Sequence, residues 1–184
     1  MVDFRLRRAA WVVRRGGVIA YPTEGVYGLG CNPLNAEAVY RLLALKKRPV
    51  GKGLILVAAD IDQLSPFVIF PSPGIKERVR ATWPGPVTWV LPVQGGVPAW
   101  LHGGRGSLAV RVSAHPPVVM LCRKTGPLVS TSANVAGRRP CRDAMAIHRQ
   151  FGRALEDILP GELGGLSGPT PIYDGLTGKI LRSS

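Results

Sequence analysis

The chain is poor in the residues that most enzyme chemistries need. Among 184 residues there are three cysteines and three histidines. Cys31, Cys122 and Cys141 stand far apart with no Cys-x-x-Cys pair, which excludes a disulfide framework and a structural zinc site and fits a reducing cytoplasm. His102, His115 and His148 have no ligand-like spacing to one another or to a cysteine, so no metal held by the protein itself is expected. Acid is scarce, with 11 Asp and Glu against 24 Lys and Arg. The carboxylates are mostly solitary, and the Gly-x-Ser-x-Gly elbow, His-Glu-x-x-His and dinucleotide fingerprint are all missing, which argues against a hydrolytic triad. No apolar run approaches the ~20 residues that span a bilayer. With neither an internal repeat nor a low-complexity linker, one domain over residues 1–184 is expected.

What is present is a globular composition, 46% hydrophobic and 19% charged, with a net charge of +13. Such a field favours polyanions: nucleotides, pyrophosphate or RNA. The cations are spread over Arg5 to Arg15, Lys46 to Lys52, Lys76 to Arg80, Arg138 to Arg153 and Arg182. A dispersed pattern of this kind predicts several segments converging on one concave, basic cleft.

Periodicity predicts a first helix from about Phe4 to Arg15, with arginines on one side and Leu6, Ala9, Ala10, Val12 and Val13 on the other, ended by Gly16-Gly17. Val18 to Tyr21 reads as a buried strand. Asn35 can cap a helix over Ala36 to Lys47, and Asp60 a short turn after an interior strand over Leu54 to Ala59. Pro73 to Trp83 reads as a helix with proline in its first turn, leading through a proline-rich corner into a strand over Val87 to Leu91. Gln94 to Gly106 looks like a mobile loop. Strands over Leu108 to Val112 and Leu128 to Ser130, helices over His115 to Arg123 and Ala144 to Phe151, and a last hairpin through Ile172-Tyr173-Asp174 and Lys179-Ile180-Leu181 complete the reading. This alternation predicts a mixed α/β fold, a twisted, mixed open sheet covered by helices on both faces.

Four stretches carry chemistry. Tyr21 to Cys31 puts polar side chains on a glycine-rich turn behind Val18-Ile19-Ala20, either a strand delivering a ligand site, where glycine permits close backbone approach and positive φ, or an ordinary strand-to-helix turn. Lys46-Lys47-Arg48-Pro49-Val50-Gly51-Lys52 places four cations in seven residues at a helix end. That density suits phosphate oxygens, or else complements the helix C-terminus. It is not a Walker loop, since glycine follows Gly51-Lys52. Arg111 sits on a strand whose alternate members Leu108, Val110 and Val112 point the other way, so it needs a bound carboxylate or phosphate, or a structural ion pair. Ser130-Thr131-Ser132-Ala133-Asn134 gathers hydroxyls and an amide at a strand end, where open α/β sheets place ligands, although a polar turn would use the same residues. This inventory of anion binders and hydroxyls suits phosphoryl or nucleotidyl transfer, in which positioning and charge neutralisation do the catalysis.

In order, Tyr21-Pro22-Thr23-Glu24 with Tyr27-Gly28-Leu29-Gly30, Lys46-Lys47-Arg48-Pro49, Trp83-Pro84-Gly85-Pro86-Val87-Thr88, Leu108-Ala109-Val110-Arg111 and Ser130-Thr131-Ser132-Ala133-Asn134 resemble the YrdC-like family over nearly the whole chain. The resemblance implies a nucleotidyltransferase that makes threonylcarbamoyl-AMP and pyrophosphate from L-threonine, bicarbonate and ATP with Mg2+. This adenylate is the donor for threonylcarbamoyladenosine in tRNA, which implies tRNA contact and a link to the complex that transfers the group. Carried over by position, Lys46 and Arg48 would act in catalysis. Lys46, Arg48, Lys52, Ser107, Ser132, Asn134 and Arg182 would bind ATP. Thr23, Arg111 and Ser130 would face threonine, Arg111 taking its carboxylate. The competing reading is a module that binds double-stranded RNA or tRNA without catalysis. The +13 charge fits both readings, but the chain lacks an RNA-recognition aromatic motif.

Overall fold

Strand alternation decides which residues reach the core and which reach a ligand. We describe residues 2–183 from a computed structural model. The elements run α1 (Val2–Arg14), β1 (Ile19–Pro22), β2 (Tyr27–Gly30), α2 (Ala36–Lys46), β3 (Ile55–Ala58), α3 (Pro73–Arg80), β4 (Thr88–Pro92), α4 (Ala99–His102), β5 (Ser107–Val112), α5 (Pro116–Thr125), β6 (Leu128–Ser132), α6 (Ala144–Phe151), β7 (Asp157–Ile158), β8 (Ile172–Asp174) and β9 (Ile180–Arg182). All nine strands join one mixed sheet in the order β7-β1-β2-β6-β3-β5-β4-β8-β9. The β3–β5, β1–β7 and β4–β8 pairs are parallel and the remainder antiparallel.

One face of the sheet presents Ala20, Leu29, Leu56, Val110 and Val129, which bury against Val39 and Leu42 of α2, Val79 of α3, Leu101 of α4 and Ile147 and Phe151 of α6. On the other face Ile19, Tyr21, Val57 and Leu128 bury against Leu6, Ala9, Ala10 and Val13 of α1 and Val118 and Leu121 of α5. Each fully buried leucine stabilises by roughly 1.5 to 3 kcal/mol. Helices therefore cover both faces, but on the second face the smaller cover of α1 and α5 stops after the row Arg111–Val57–Leu128. The next row, Ala109–Ile55–Ser130, faces open space.

Local chemistry explains the helix ends. The Asn35 side chain accepts from Ala38 N at 2.9 Å, and Asp143 does the same for Ala146 N at 2.7 Å. Asp60 accepts from Gln63 N at 3.0 Å and so starts the 3-10 turn at Asp62–Leu64. Pro73 begins α3, which ends at Arg80 rather than Trp83. Among the described residues, no helix is long and apolar enough to cross a membrane.

Three features differ from the sequence expectation. Tyr21 to Cys31 is not a strand-to-helix turn but a tight hairpin, with β1 paired antiparallel to β2. Tyr-Gly-Leu-Gly has low intrinsic strand propensity, and its pairing with β1 and β6 overrides that weakness. Between Gln94 and Gly106 lies α4, anchored by fully buried Leu101. Finally, Asp157–Ile158 adds a two-residue edge strand that no periodicity could show.

The glycines of the hairpin also serve a purpose other than the expected one. Gly25, Gly28 and Gly30 are absent from the positive-φ residues. What they provide is room, since a Cβ on Gly30 would lie 2.6 Å from the Tyr21 ring and 2.8 Å from Val129 O. Gly30→Ala should therefore lower stability by about 1 to 3 kcal/mol through overpacking, whereas Gly51→Ala, where a Cβ meets nothing within 4 Å, should stay within about 0.5 kcal/mol of the parent. Thermal unfolding of both variants checks this, and equal melting temperatures would contradict it.

Candidate active site

The uncovered half of the second sheet face forms the floor of a cavity of about 330 Å3. Its floor residues follow a period of two: Ser107, Ala109 and Arg111 from β5, Ser130 and Ser132 from β6, and Ile55 from β3. All but Ile55 and Arg111 are small, so the space that α1 and α5 fill elsewhere stays open here. The rim comes from the β1–β2 turn, the segment after α2, the loop around α4, and Pro169, Thr170 and Arg182 near the C-terminus.

At one end lies a buried polar network. The guanidinium of Arg111 donates from Nη2 to Glu24 Oε2 at 3.1 Å, and from Nη1 to Thr170 Oγ1 at 2.8 Å and Thr88 Oγ1 at 3.3 Å. Ser113 Oγ donates to the other Glu24 oxygen at 2.7 Å. The ion pair that the sequence left as one alternative for Arg111 is thus present. A buried pair of this kind needs its further hydrogen bonds to offset desolvation. Arg111 Nε is buried without a partner, which leaves the guanidinium one donor short of satisfaction beside the cavity. Thr23 is buried and closes its own turn, donating from Oγ1 to Val26 O at 2.6 Å.

At the other end the cations gather. Arg48, Lys52, Arg105 and Arg182 all line the cavity. Just before Arg48, Lys47 closes α2 with a φ of 51°, in the left-handed region, a strained choice for a residue with a Cβ. Arg48 then donates from Nη2 to Gly53 O at 2.9 Å, and Arg105 Nη2 to Gly51 O at 2.9 Å. Arg182 Nη2 donates to Thr170 O at 2.6 Å. Burial and the neighbouring Arg105 lower the pKa of Arg48. Burial, then Arg111 and Arg48, lower that of Arg182, whose guanidinium is half-buried although the residue as a whole is exposed. Mutual repulsion among these cations is what a multiply charged anion relieves.

The expected site residues divide accordingly. Thr23, Arg48, Lys52, Ser107, Arg111, Ser130, Ser132 and Arg182 all line one cavity. Lys46 and Asn134 do not. The Lys46 ammonium is buried behind the wall and donates to Ser132 O, to Asn134 O at 2.8 Å and to Asn134 Oδ1 at 3.3 Å, while Ser132 Oγ donates to the same Oδ1 at 2.7 Å. Lys46 falls on the buried face of the last turn of α2, so its stem runs inward and its charge braces the Ser-Ala-Asn loop rather than facing the cavity. Sequence reasoning missed Glu24, Thr88, Thr170 and Arg105. A lone cation among the glycines of Gly103-Gly104-Arg105-Gly106 was the available signal for Arg105, whereas Thr170 in its proline and glycine-rich passage carried none.

Burial, reinforced by Arg48, pulls the Lys46 ammonium down to about 8 from 10.5, with Cys141 opposing. Between those values the unfolded chain keeps a proton that the folded chain has released, so this group makes stability rise with pH. The melting temperature of the parent relative to Lys46→Met should accordingly improve as pH is raised from about 7 to about 10. A difference that stays flat over this range would contradict the burial of a charged Lys46.

A family model described as "Telomere recombination", covering Sua5, YciO and YrdC proteins, matches residues 12–184. Curated relatives named threonylcarbamoyl-AMP synthase include that of Halorhodospira halophila, 53% identical over 97% of this chain and 94% of its own length. That of Pseudomonas aeruginosa is 54% identical over 98% of this chain and 97% of its own. Among solved structures, P. abyssi Sua5 complexed with L-threonine superimposes with a TM-score of 0.88 at 32% identity, over 94% of this chain and 51% of that one. This chain thus spans about half the length of the P. abyssi protein. E. coli YciO gives a TM-score of 0.85 at 27% identity, over 100% of this chain and 90% of its own. The sequence and the fold of this chain therefore agree: it belongs to the Sua5/YciO/YrdC family.

Proposed function

We propose that the chain is a threonylcarbamoyl-AMP synthase, which condenses L-threonine, bicarbonate or CO2, and ATP into L-threonylcarbamoyladenylate and pyrophosphate, the first step of threonylcarbamoyladenosine formation in tRNA. The observation that carries this reading is a single cavity with an arginine at one end, its Nε unpartnered, and four further cations at the other. An amino-acid carboxylate suits Arg111, whose charge lines the cavity and whose planar guanidinium is held in place by Glu24, Thr88 and Thr170. A triphosphate suits Arg48, Lys52, Arg105 and Arg182. Ser107 and Ser132 lie on the same floor between the two ends, toward the nucleotide, while Thr23 and Ser130 lie toward the amino acid. Lys46 and Asn134 contribute from behind, holding the loop that carries Ser132.

The chemistry asks for positioning. The threonine amine and CO2 combine to a carbamate with loss of a proton. A carbamate oxygen then attacks the α-phosphorus of ATP and expels pyrophosphate. Both reactants are anions, so a cavity rich in cations lowers the repulsion between them. No protein nucleophile is called for. Mg2+ belongs to this reading as part of the substrate. Among the described residues no three His, Cys, Asp or Glu side chains cluster to hold a metal, and both Glu24 oxygens are taken by Arg111 and Ser113, so the ATP phosphates are the ligands we assign to it.

The exposed arginines of α1 and the +13 charge support contact with tRNA and, through it, with the machinery that transfers the threonylcarbamoyl group. The three free, buried cysteines support a cytoplasmic setting. RNA binding without catalysis accounts for the charge but not for a cavity lined by Arg111 together with Arg48, Lys52, Arg105 and Arg182.

Purified protein given MgATP, bicarbonate and L-threonine should release pyrophosphate, and leaving out threonine or bicarbonate should abolish the release; pyrophosphate release indifferent to threonine would falsify the synthase reading. Within that assay, Arg105→Ala should weaken ATP binding about tenfold, the range for one charge-assisted hydrogen bond. Because Arg105 is exposed, the melting temperature should not move. Arg111→Lys should raise the threonine KM at least about tenfold through loss of the fork while the ATP KM shifts less than about twofold. Equal shifts in both constants would contradict the division of the cavity.

A further inference from the structure

Tyr21 is fully buried and its hydroxyl has no hydrogen-bond partner. The ring extends from β1 across β2, lying over Gly30 and ending beside Gly28. From a Cβ position on Gly28, the ring carbon that bears the hydroxyl is 3.4 Å away and Ser130 Oγ is 3.5 Å away. The phenol therefore reaches under β2 toward β6 and ends next to Ser130, whose residue lines the cavity. Ser130 is the leading neighbour that offsets the effect of burial on the phenol, ahead of Arg111, yet the two hydroxyls stand outside hydrogen-bond geometry. Among the described residues no other partner for the Ser130 hydroxyl is found.

A buried hydroxyl left unpaired is destabilising, and phenylalanine would fill the same space without that penalty. We propose that Tyr21 is a positioning residue that fixes the direction of the Ser130 proton and thereby selects an amino acid bearing a hydroxyl. The proposal rests on the synthase reading above. In the free protein the phenol is unpaired; when a bound substrate hydroxyl draws the Ser130 side chain into line, the phenol donates to Ser130 Oγ, the hydroxyl beside which it ends. Once that oxygen accepts, the Ser130 proton is turned outward into the cavity, where the hydroxyl oxygen of threonine is the acceptor. The chain Tyr21 O–H to Ser130 O–H to substrate closes when a hydroxyl is bound. With 2-aminobutyrate, which is threonine without its hydroxyl, the chain ends on a buried unsatisfied donor. Sites built to hydrogen-bond a substrate hydroxyl reject the analogue lacking it far more strongly than pockets that measure size alone.

The test measures pyrophosphate release with threonine and with 2-aminobutyrate for the parent, Tyr21→Phe, Ser130→Ala and the double variant. Tyr21→Phe should melt at or above the parent temperature, because it removes an unsatisfied buried group. It should raise the threonine KM about tenfold with kcat nearly unchanged, the size of one hydrogen bond. It should lower the preference for threonine over 2-aminobutyrate by the same factor, and in the Ser130→Ala background it should change neither quantity further. An unchanged preference, an equal loss with both amino acids, or a full additional loss on top of Ser130→Ala would overturn the proposal while leaving the synthase reading intact. Parent protein that releases pyrophosphate without any need for threonine would overturn that underlying reading, and the proposal with it.

Discussion

The buried ion pair between Glu24 and Arg111 is the contact on which the site depends. Glu24 lies in the turn of the β1–β2 hairpin and Arg111 in β5, and between them in the sheet run β2, β6 and β3. Ser113 completes the carboxylate, and Thr88 and Thr170 take two of the guanidinium protons. In this way one charge pair joins the hairpin, β4, β5 and the segment that precedes β8. Replacing such a pair with apolar residues often leaves a protein as stable or more so. Its worth here is geometric, because it holds an arginine at fixed orientation on the floor of a cavity.

The segment between β7 and β8 has no regular structure, and the same network keeps it in place. Tyr27 Oη donates to Gly161 O at 3.0 Å, Gly164 N to Thr23 O at 3.1 Å and Leu166 N to Glu24 O at 2.9 Å. Arg142 adds bonds to Gly25 O at 3.0 Å and Ser167 O at 2.9 Å. Gly25 must be glycine for this to occur, since a Cβ there would fall 1.8 Å from Gly168 O. A strap with few apolar anchors thus gains order from polar bonds to the hairpin, and it delivers Thr170 to Arg111. The β1–β2 hairpin is as much a docking surface for this strap as a wall of the cavity.

The cation end is built differently. Arg48 and Lys52 come from a short span after α2, where local sequence suffices to bring them together, and Arg105 from the loop after α4 and Arg182 from β9 join from far away in the chain. Burial first, and then neighbouring arginines, lower the pKa of Arg48 and of Arg182. Lys46 belongs to the same run of basic residues but faces the opposite way, because helical geometry places it on the buried side of α2. Adjacent cations in sequence therefore do two jobs, one of bracing and one of binding.

The helices of this protein were largely legible, since Asn35, Asp60, Pro73 and the apolar stripe of α1 are local signals with local consequences. The charge at Arg48 and Lys52, the alternation that turns Arg111 away from Leu108, Val110 and Val112, and the hydroxyls of Ser130 and Ser132 were legible for the same reason: a strand's period of two and a helix end are written within a few residues. What the tertiary structure alone decided is which of these groups meet. Tyr27–Gly30 becomes a strand because two neighbours pair with it, not because of its propensity. Glu24 meets Arg111, Thr170 meets both ends of the site, Lys46 turns inward and Tyr21 ends beside Ser130 through contacts between residues tens to more than a hundred positions apart. Such pairings depend on sheet order and on how far α1 and α5 extend over the second face, and no local pattern encodes either.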